Sequence, residues 1–173
     1  MEYPKFSVLM SLYIKEKKEY FDECMKSMLR QTAIPNEIVI VFDGPISKEL
    51  NDCVNQYTQD YPNWIKIIKN EKNKGLGLAL ADGVPECTYE LIARMDTDDI
   101  ARSDRFEKQL QMFIDDPDLD ICGSHIIEFE GDINNVLSKR DVPITHDEIA
   151  KYQKQRSAFN HMTVMYKKST VLK

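Results

Sequence analysis

The chain has 173 residues, of which 42% are hydrophobic and 30% are charged, as in an ordinary globular domain with a buried core. No apolar run reaches the roughly 18 residues of a transmembrane helix, and the first residues lack the basic-then-apolar order of a signal peptide. The net charge of −6, with no basic face interleaved with aromatic residues, argues against nucleic-acid binding. Four widely spaced cysteines favour buried thiols in a reducing cytoplasm over a zinc site.

The negative charge is concentrated in one segment. Residues 96–120 contain nine acidic and three basic side chains, an excess of six acids that equals the net charge of the whole chain. Residues 139–173 reverse the balance, with eight bases and three acids. This basic part is either a solvated surface or a peripheral contact with an anionic ligand or lipid.

Strands and helices alternate along the chain. Short apolar runs predict strands, and apolar residues at helical spacing predict helices. In chain order we expect a strand at 6–11, a helix at 19–30, a strand at 37–42, a helix at 47–61 capped by Ser47, a strand at 64–68, a short helix after Gly75, a strand at 89–95, a helix at 105–114, a turn and a strand within 116–130, a helix from Thr145 and a strand at 162–166. This alternation predicts an α/β fold with a mostly parallel sheet.

Polar residues follow several of the predicted strands at the point where each strand ends. Ligands of parallel sheets bind at the carboxyl ends of the strands. The rule brings together Ser11 to Tyr13, Asp43, the loop at 73–75 and Asp96 to Asp99. We therefore expect the binding site along this edge.

The segment "MDTDDIA" has three interpretations. An EF-hand loop fails, because Ile100 and Ala101 occupy positions that need an oxygen ligand and a glycine. A helix cap formed by Asp98, Asp99 or Asp104 remains open, although it cannot account for all three acids of the segment. Alternatively, Asp96 and Asp98 share one face of an extended segment and bind Mg²⁺ or Mn²⁺, whose remaining ligands would include a diphosphate.

Other residues at this edge have two interpretations each. Asp43 is either a turn residue or an acceptor for a base such as uracil, and Tyr13 either stacks on that base or covers the sheet. The loop at 73–75 is either a plain connection or a close approach to a nucleotide. His161 is interpreted as a surface or core residue rather than a ligand.

Six segments occur in the order of the landmarks of one family. They are "SVLMSLYIKEKKEYFDECMKSMLRQT", "EIVIVFDGP", "NKGLGLALADGV", "IARMDTDDIARSDRFEKQLQMF", "PDLDICGS" and "HMTVMYKKS". The chain resembles bacterial family 2 glycosyltransferases, and most closely those that build capsular and exopolysaccharides. The resemblance implies a GT-A fold, a nucleotide-diphosphate-sugar donor (a UDP-sugar favoured), a divalent metal, and inversion at the anomeric carbon. It also implies a glycan or polyprenyl-diphosphate-linked acceptor, met by a cytoplasmic protein at the inner membrane face.

The resemblance also assigns roles to individual residues. Asp98 would ligate Mg²⁺ or Mn²⁺, and Asp96 would reach the ribose or the metal. The residues that would hold or adjoin the nucleotide are Ser11, Leu12, Tyr13, Asp43, Lys74 and Gly75. One departure is visible, because Ala81 and Asp82 stand where the family often has an Arg-Asn pair.

A second departure concerns the catalytic base, which in the family is an aspartate of a Glu-Asp pair that follows the segment resembling "MTVMYKKSTVLK". We expect this base beyond Lys173, with residues 1–173 as a single GT-A domain truncated before it and inactive or poorly active alone. Two rival functions remain open at this point. One is a donor-binding module without turnover. The other is a metal-dependent phosphatase, whose acids would follow the first strand, where this chain has Ser11.

Overall fold

The computed structural model describes residues 3–172 and contains a six-stranded sheet, a two-stranded hairpin and flanking helices. A 3₁₀ helix spans His161–Thr163. The other elements, in chain order, are β1 (Phe6–Leu12), α1 (Lys18–Leu29), β2 (Glu37–Phe42), α2 (Lys48–Asp60), β3 (Ile65–Lys69), α3 (Leu76–Gly83), β4 (Leu91–Arg94), α4 (Arg105–Asp115), β5 (Ile121–Cys122), β6 (Ile126–Phe129), β7 (Val136–Arg140), α5 (His146–Tyr152), β8 (Met165–Lys167) and α6 (Lys168–Val171).

The large sheet has the strand order β3-β2-β1-β4-β8-β5, and its first four strands are parallel. The short strand β8 runs antiparallel to both β4 and β5. The predicted mostly parallel sheet is therefore confirmed. Because β1 lies between β2 and β4, the segments that follow these three strands meet at one edge of the sheet.

The apolar runs of β1 and β2 are buried on both faces because helices cover both sides of the sheet. On one face, alternate residues of β1 such as Val8 and Met10 belong to a cluster with side chains of α1, α2 and α4. On the other face, Leu9 packs with Ala79 of α3. A Cβ at Gly83 would lie 2.5 Å from Leu9 Cδ1, so this glycine lets α3 approach the sheet closely.

The predicted strand within 116–130 is two strands, β5 and β6, and the first of these has only two residues. Strand β6 pairs with β7, which the sequence analysis did not predict, in a separate hairpin. Every residue of β7 is exposed, so β7 has no buried face whose alternation could reveal it.

The strand predicted at 162–166 begins later in the structure. Residues 161–163 form the 3₁₀ helix, and β8 starts at Met165. Thr163 closes this turn, because both its backbone N–H and its hydroxyl donate to the carbonyl of Asn160, at 2.9 and 2.8 Å. The helix starts predicted at Ser47 and Thr145 are confirmed, since each side chain accepts a backbone N–H of the first turn.

Among residues 3–172, no helix combines the length and the apolar character needed to cross a lipid bilayer.

Candidate active site

Three aspartates lie in the turn that follows β4, at the edge of the sheet predicted to bind ligands. Met95 N donates to Leu9 O at 3.1 Å, and the thiol of Cys24 in α1 donates to Asp96 O at 3.3 Å. Asp99 N donates weakly to Asp96 O at 3.4 Å, which closes the turn. Strand β1 and helix α1 therefore fix the backbone from which the acids project.

One oxygen of each carboxylate in Asp96, Asp98 and Asp99 lies within 4.8 Å of the others. Asp98 is exposed, whereas Asp96 and Asp99 are partly buried. Asp99 Oδ2 is buried and has no hydrogen-bond partner among residues 3–172. Burial first, and then the charges of Asp96 and Asp98, raise the pKa of Asp99 to about 6. The negative charge of the three aspartates is therefore only partly offset by positive charges nearby.

Two arginines supply part of the compensation. Arg94 is buried in β4, and its Nη2 donates to Asp96 Oδ1 at 2.5 Å. Arg105, at the start of α4, donates from Nη2 to Arg94 O at 2.7 Å and from Nε to Gln109 Oε1 at 3.1 Å. Burial lowers the pKa of Arg105 to about 10. Asp96 thus has a cationic partner, but Asp98 and Asp99 have no direct ion pair within residues 3–172.

The helix-cap interpretation of the acids is wrong. Helix α4 begins at Arg105, and Asp104 occupies its N-cap position without accepting a backbone N–H. Its carboxylate instead pairs with Arg102 and Lys108. Asp98 and Asp99 lie too far before the helix to cap it. The orphaned oxygen, the elevated pKa and the all-oxygen ligand set fit a hard divalent cation.

Asp43 lies at the end of β2 and holds the loop at 73–75. Its carboxylate oxygens accept the backbone N–H groups of Lys74 and Gly75, at 2.6 and 3.0 Å, and its carbonyl accepts from Asn73 Nδ2 at 3.3 Å. Asp43 is buried, so these bonds are shielded from water. Each oxygen keeps a further lone pair, and contact with a nucleotide base stays a prediction.

The end of β1 adjoins Asp43, because Leu12 O accepts the backbone N–H of Asp43 at 2.8 Å. Ser11 is partly buried and Leu12 is fully buried, whereas Tyr13 is 40% exposed and available for stacking. The structure thus brings together, as expected, the six residues Ser11, Leu12, Tyr13, Asp43, Lys74 and Gly75.

A cleft of about 340 Å³ lies beside the aspartates, between α3 and the segment before β8. Its walls are mostly apolar and include Leu76, Leu80 and Phe159, with Arg94 at one side. His161 also lines this cleft, and its Nδ1 lies 3.8 Å from Asp96 Oδ2. The sequence analysis interpreted His161 as a surface or core residue; it is 60% exposed but lies next to the site.

Two residues that the structure places beside the acidic turn were not predicted from the sequence: Arg94 and Glu16. Arg94 could have been found from the sequence, because a charged residue in an otherwise apolar buried strand needs a buried partner. Glu16 could not, because its hydrogen bond with Thr97 joins residues that are 81 positions apart.

Comparison with known proteins gives the family. The sequence pattern described as "Glycosyl transferase family 2" matches residues 7–172. The chain belongs to glycosyl transferase family 2. An uncharacterized glycosyltransferase of Haemophilus influenzae is 45% identical over 97% of this chain. Two relatives are 39% identical: the amylovoran biosynthesis glycosyltransferase AmsE of Erwinia amylovora over 96% of the chain, and an Escherichia coli UDP-Gal:alpha-D-GlcNAc-diphosphoundecaprenol beta-1,3-galactosyltransferase over 98%.

This family 2 chain spans 61–62% of the length of those three relatives. Two solved structures resemble its fold. One is the mannosyltransferase PcManGT of Pyrobaculum calidifontis in complex with GDP-Man and Mn²⁺, with a TM-score of 0.69 and 15% sequence identity. The alignment covers 99% of this chain and 46% of PcManGT. S. aureus TarS 1-349 in complex with UDP gives a TM-score of 0.67 at 21% identity, with 97% of this chain and 48% of TarS 1-349 aligned. The fold is therefore the GT-A fold.

Proposed function

We propose that this protein acts as a glycosyltransferase that moves a sugar from a nucleotide-diphosphate donor, a UDP-sugar favoured, to a glycan or lipid-linked acceptor in surface polysaccharide synthesis. The acidic turn after β4 carries the proposal, because in this family 2 chain Asp99 Oδ2 is buried without a hydrogen-bond partner among residues 3–172. The names of the relatives support the class of reaction: one is a UDP-Gal transferase acting on a diphosphoundecaprenol-linked sugar.

Asp98 and Asp96 would hold Mg²⁺ or Mn²⁺, with Asp99 close enough to contribute an oxygen. The bound ion would act as a Lewis acid that stabilises the negative charge developing on the diphosphate leaving group. Arg94 fixes the orientation of Asp96, since its buried guanidinium donates to that carboxylate.

The nucleotide would lie along the neighbouring strand ends, where Tyr13 offers an exposed ring and Asp43 keeps the loop at 73–75 in place. Lys74 and Gly75 would adjoin the nucleotide through that loop. The apolar cleft beside Asp96 has room for a sugar ring, and Arg94 and His161 supply its polar contacts. With the leaving group held on one side of the sugar, an acceptor hydroxyl attacking from the opposite side would invert the anomeric carbon.

Isothermal titration with UDP, GDP and TDP, each with and without Mn²⁺, tests this proposal. We expect UDP to bind most tightly and Mn²⁺ to tighten it. The variant Asp98→Ala should abolish the effect of Mn²⁺. The matched control is Asp118→Ala, which removes the same charge from an exposed position outside the cluster and should bind like the wild type. Unchanged metal-dependent affinity in Asp98→Ala would refute the assignment.

A further inference from the structure

Glu16, in the loop between β1 and α1, contacts two parts of the proposed site. Its backbone N–H donates to Tyr13 O at 3.1 Å, which closes a turn below the exposed tyrosine. Its side-chain Oε2 accepts the hydroxyl of Thr97 at 2.9 Å. Thr97 is buried and lies between Asp96 and Asp98 in the chain. One residue therefore joins, through its backbone, the turn that presents Tyr13 and, through its side chain, the turn that presents the acids.

The carboxylate of Glu16 that accepts the bond from Thr97 is affected by the charges of the acidic turn. Glu16 is partly buried, and its pKa is raised chiefly by that burial and further by the charges of Asp98 and Asp96. Its hydrogen bond from Thr97 opposes this effect. A cation held between the aspartates would offset their repulsion of the Glu16 carboxylate, so occupancy of the cation site acts on the group that accepts the bond from Thr97.

We propose that Glu16 is a positioning residue that couples the nucleoside contact at Tyr13 to the cation site at Asp96 and Asp98 through its hydrogen bond with Thr97. This inference rests on the proposed function, because it takes the nucleoside and the cation as ligands. Coupling of this kind is reciprocal: the cation raises affinity for the nucleoside by the same factor as the nucleoside raises affinity for the cation.

Uridine is the probe that isolates this coupling. Uridine has no diphosphate to bridge to a cation, so an effect of Mg²⁺ on its affinity that also depends on the Thr97 hydroxyl must pass through the protein. We expect saturating Mg²⁺ to raise the affinity of the wild-type protein for uridine about fivefold, at the low end of measured couplings. Chemical-shift titration by NMR measures such weak binding directly.

Two substitutions of Thr97 form a matched pair. Thr97→Val keeps the buried volume but removes the hydroxyl, whereas Thr97→Ser keeps the hydroxyl. In Thr97→Val the ratio of uridine affinities with and without Mg²⁺ should fall to about one, and in Thr97→Ser it should stay near the wild-type value. Each variant is first titrated with Mg²⁺ alone, so that the uridine experiment is done at its own saturating concentration. Glu16→Ala, a change in a loop, gives a second test that does not alter the core.

Two outcomes would overturn the inference: a wild-type uridine affinity that Mg²⁺ does not change, or an unchanged ratio in both Thr97→Val and Glu16→Ala. UDP separates this failure from failure of the proposed function. If UDP still binds in a metal-dependent manner, only the role of Glu16 falls. If UDP binds neither with nor without metal, the proposed function falls as well.

Discussion

Two strands of the sheet are followed by carboxylates, but the protein surrounds these acids in opposite ways. At the end of β2, both oxygens of Asp43 accept backbone N–H groups, from Lys74 and Gly75. In the turn after β4, Asp99 Oδ2 is buried without a hydrogen-bond partner among residues 3–172, and the pKa of its carboxyl is raised. The backbone satisfies Asp43, whereas residues 3–172 leave the charge of the acidic turn partly uncompensated. The comparison predicts that Asp43 stabilises its loop and that the acidic turn binds a cation.

Removing the satisfied carboxylate should have the largest effect. Asp43→Ala eliminates two charge-assisted hydrogen bonds, and we expect the free energy of unfolding to fall by about 4 kcal/mol. Urea denaturation followed by circular dichroism measures the loss. Asp43→Asn is the matched control, because its amide oxygen still accepts one N–H and the loss should be about half as large. Equal stability of Asp43→Ala and the wild type would show that the loop at 73–75 is held by other contacts.

The turn that carries Asp43 should be the next most sensitive. Gly44 and Gly75 both have a φ of +86°, but a Cβ at Gly44 would lie 2.7 Å from Asn73 N, whereas at Gly75 it would meet nothing within 4 Å. We expect Gly44→Ala to cost about 3 kcal/mol, from backbone strain and the clash together, and Gly75→Ala to cost about 2 kcal/mol from strain alone, because a φ of 86° with a ψ of 154° is open essentially only to glycine. Urea denaturation of the two variants compares them. Equal losses would mean that the close approach to Asn73 is relieved by a small shift.

Neutralising the unsatisfied acid should have a smaller effect of the opposite sign. Because the pKa of Asp99 is raised to about 6 in the folded protein, its stabilising contribution is complete below pH 3.8 and is lost as pH rises through 6. In metal-free buffer at pH 7.5, Asp99→Asn should therefore raise the free energy of unfolding by about 2 kcal/mol, with no gain at pH 3.5. Thermal and urea denaturation in EDTA at both pH values test this.

The exposed acid Asp118 provides the control for this substitution, and Asp118→Asn should leave stability unchanged at both pH values. Added Mg²⁺ sharpens the comparison further. It should stabilise the wild type more than Asp99→Asn, because the wild-type carboxylate gains a cation that the amide does not need. A loss of stability for Asp99→Asn at pH 7.5 would mean that the charged carboxylate has a partner in the folded protein.

The sequence predicted the first half of the fold well for a physical reason. Strands β1, β2 and β4 are covered on both faces, so they appear as continuous apolar runs, and polar residues mark where they end. The rule for parallel sheets predicts that one edge of the sheet holds Ser11 to Tyr13, Asp43 and the acidic turn. By contrast, β7 buries none of its residues and was not predicted, whereas α5 also buries none but was predicted from the capping residue Thr145 at its start.

The site was less predictable than the fold. The pair Asp96 and Asp98 follows from alternation in an extended segment, but Asp99 drew attention only as a helix cap. The raised pKa of Asp99 depends on its burial and on the charges of Asp96 and Asp98, and burial is not visible in the local sequence. His161 reaches Asp96 only because β8 pairs with β4, a contact between residues about 70 positions apart. The roles of Ser11, Leu12, Tyr13, Asp43, Lys74, Gly75, Asp96 and Asp98 stay predictions until ligands are titrated.

The position of β8 has a consequence for synthesis on the ribosome. Strand β4 ends at Arg94, whose backbone N–H donates to Val164 O at 2.8 Å, and β8 follows at Met165. About 70 residues must therefore leave the exit tunnel before β4 acquires its second neighbour. During that interval β1 alone flanks β4, and Arg94 lacks its backbone bond to Val164. The nascent chain can pair β1, β2 and β3 early, but β4 and the acidic turn after it complete their surroundings only after residue 167 emerges.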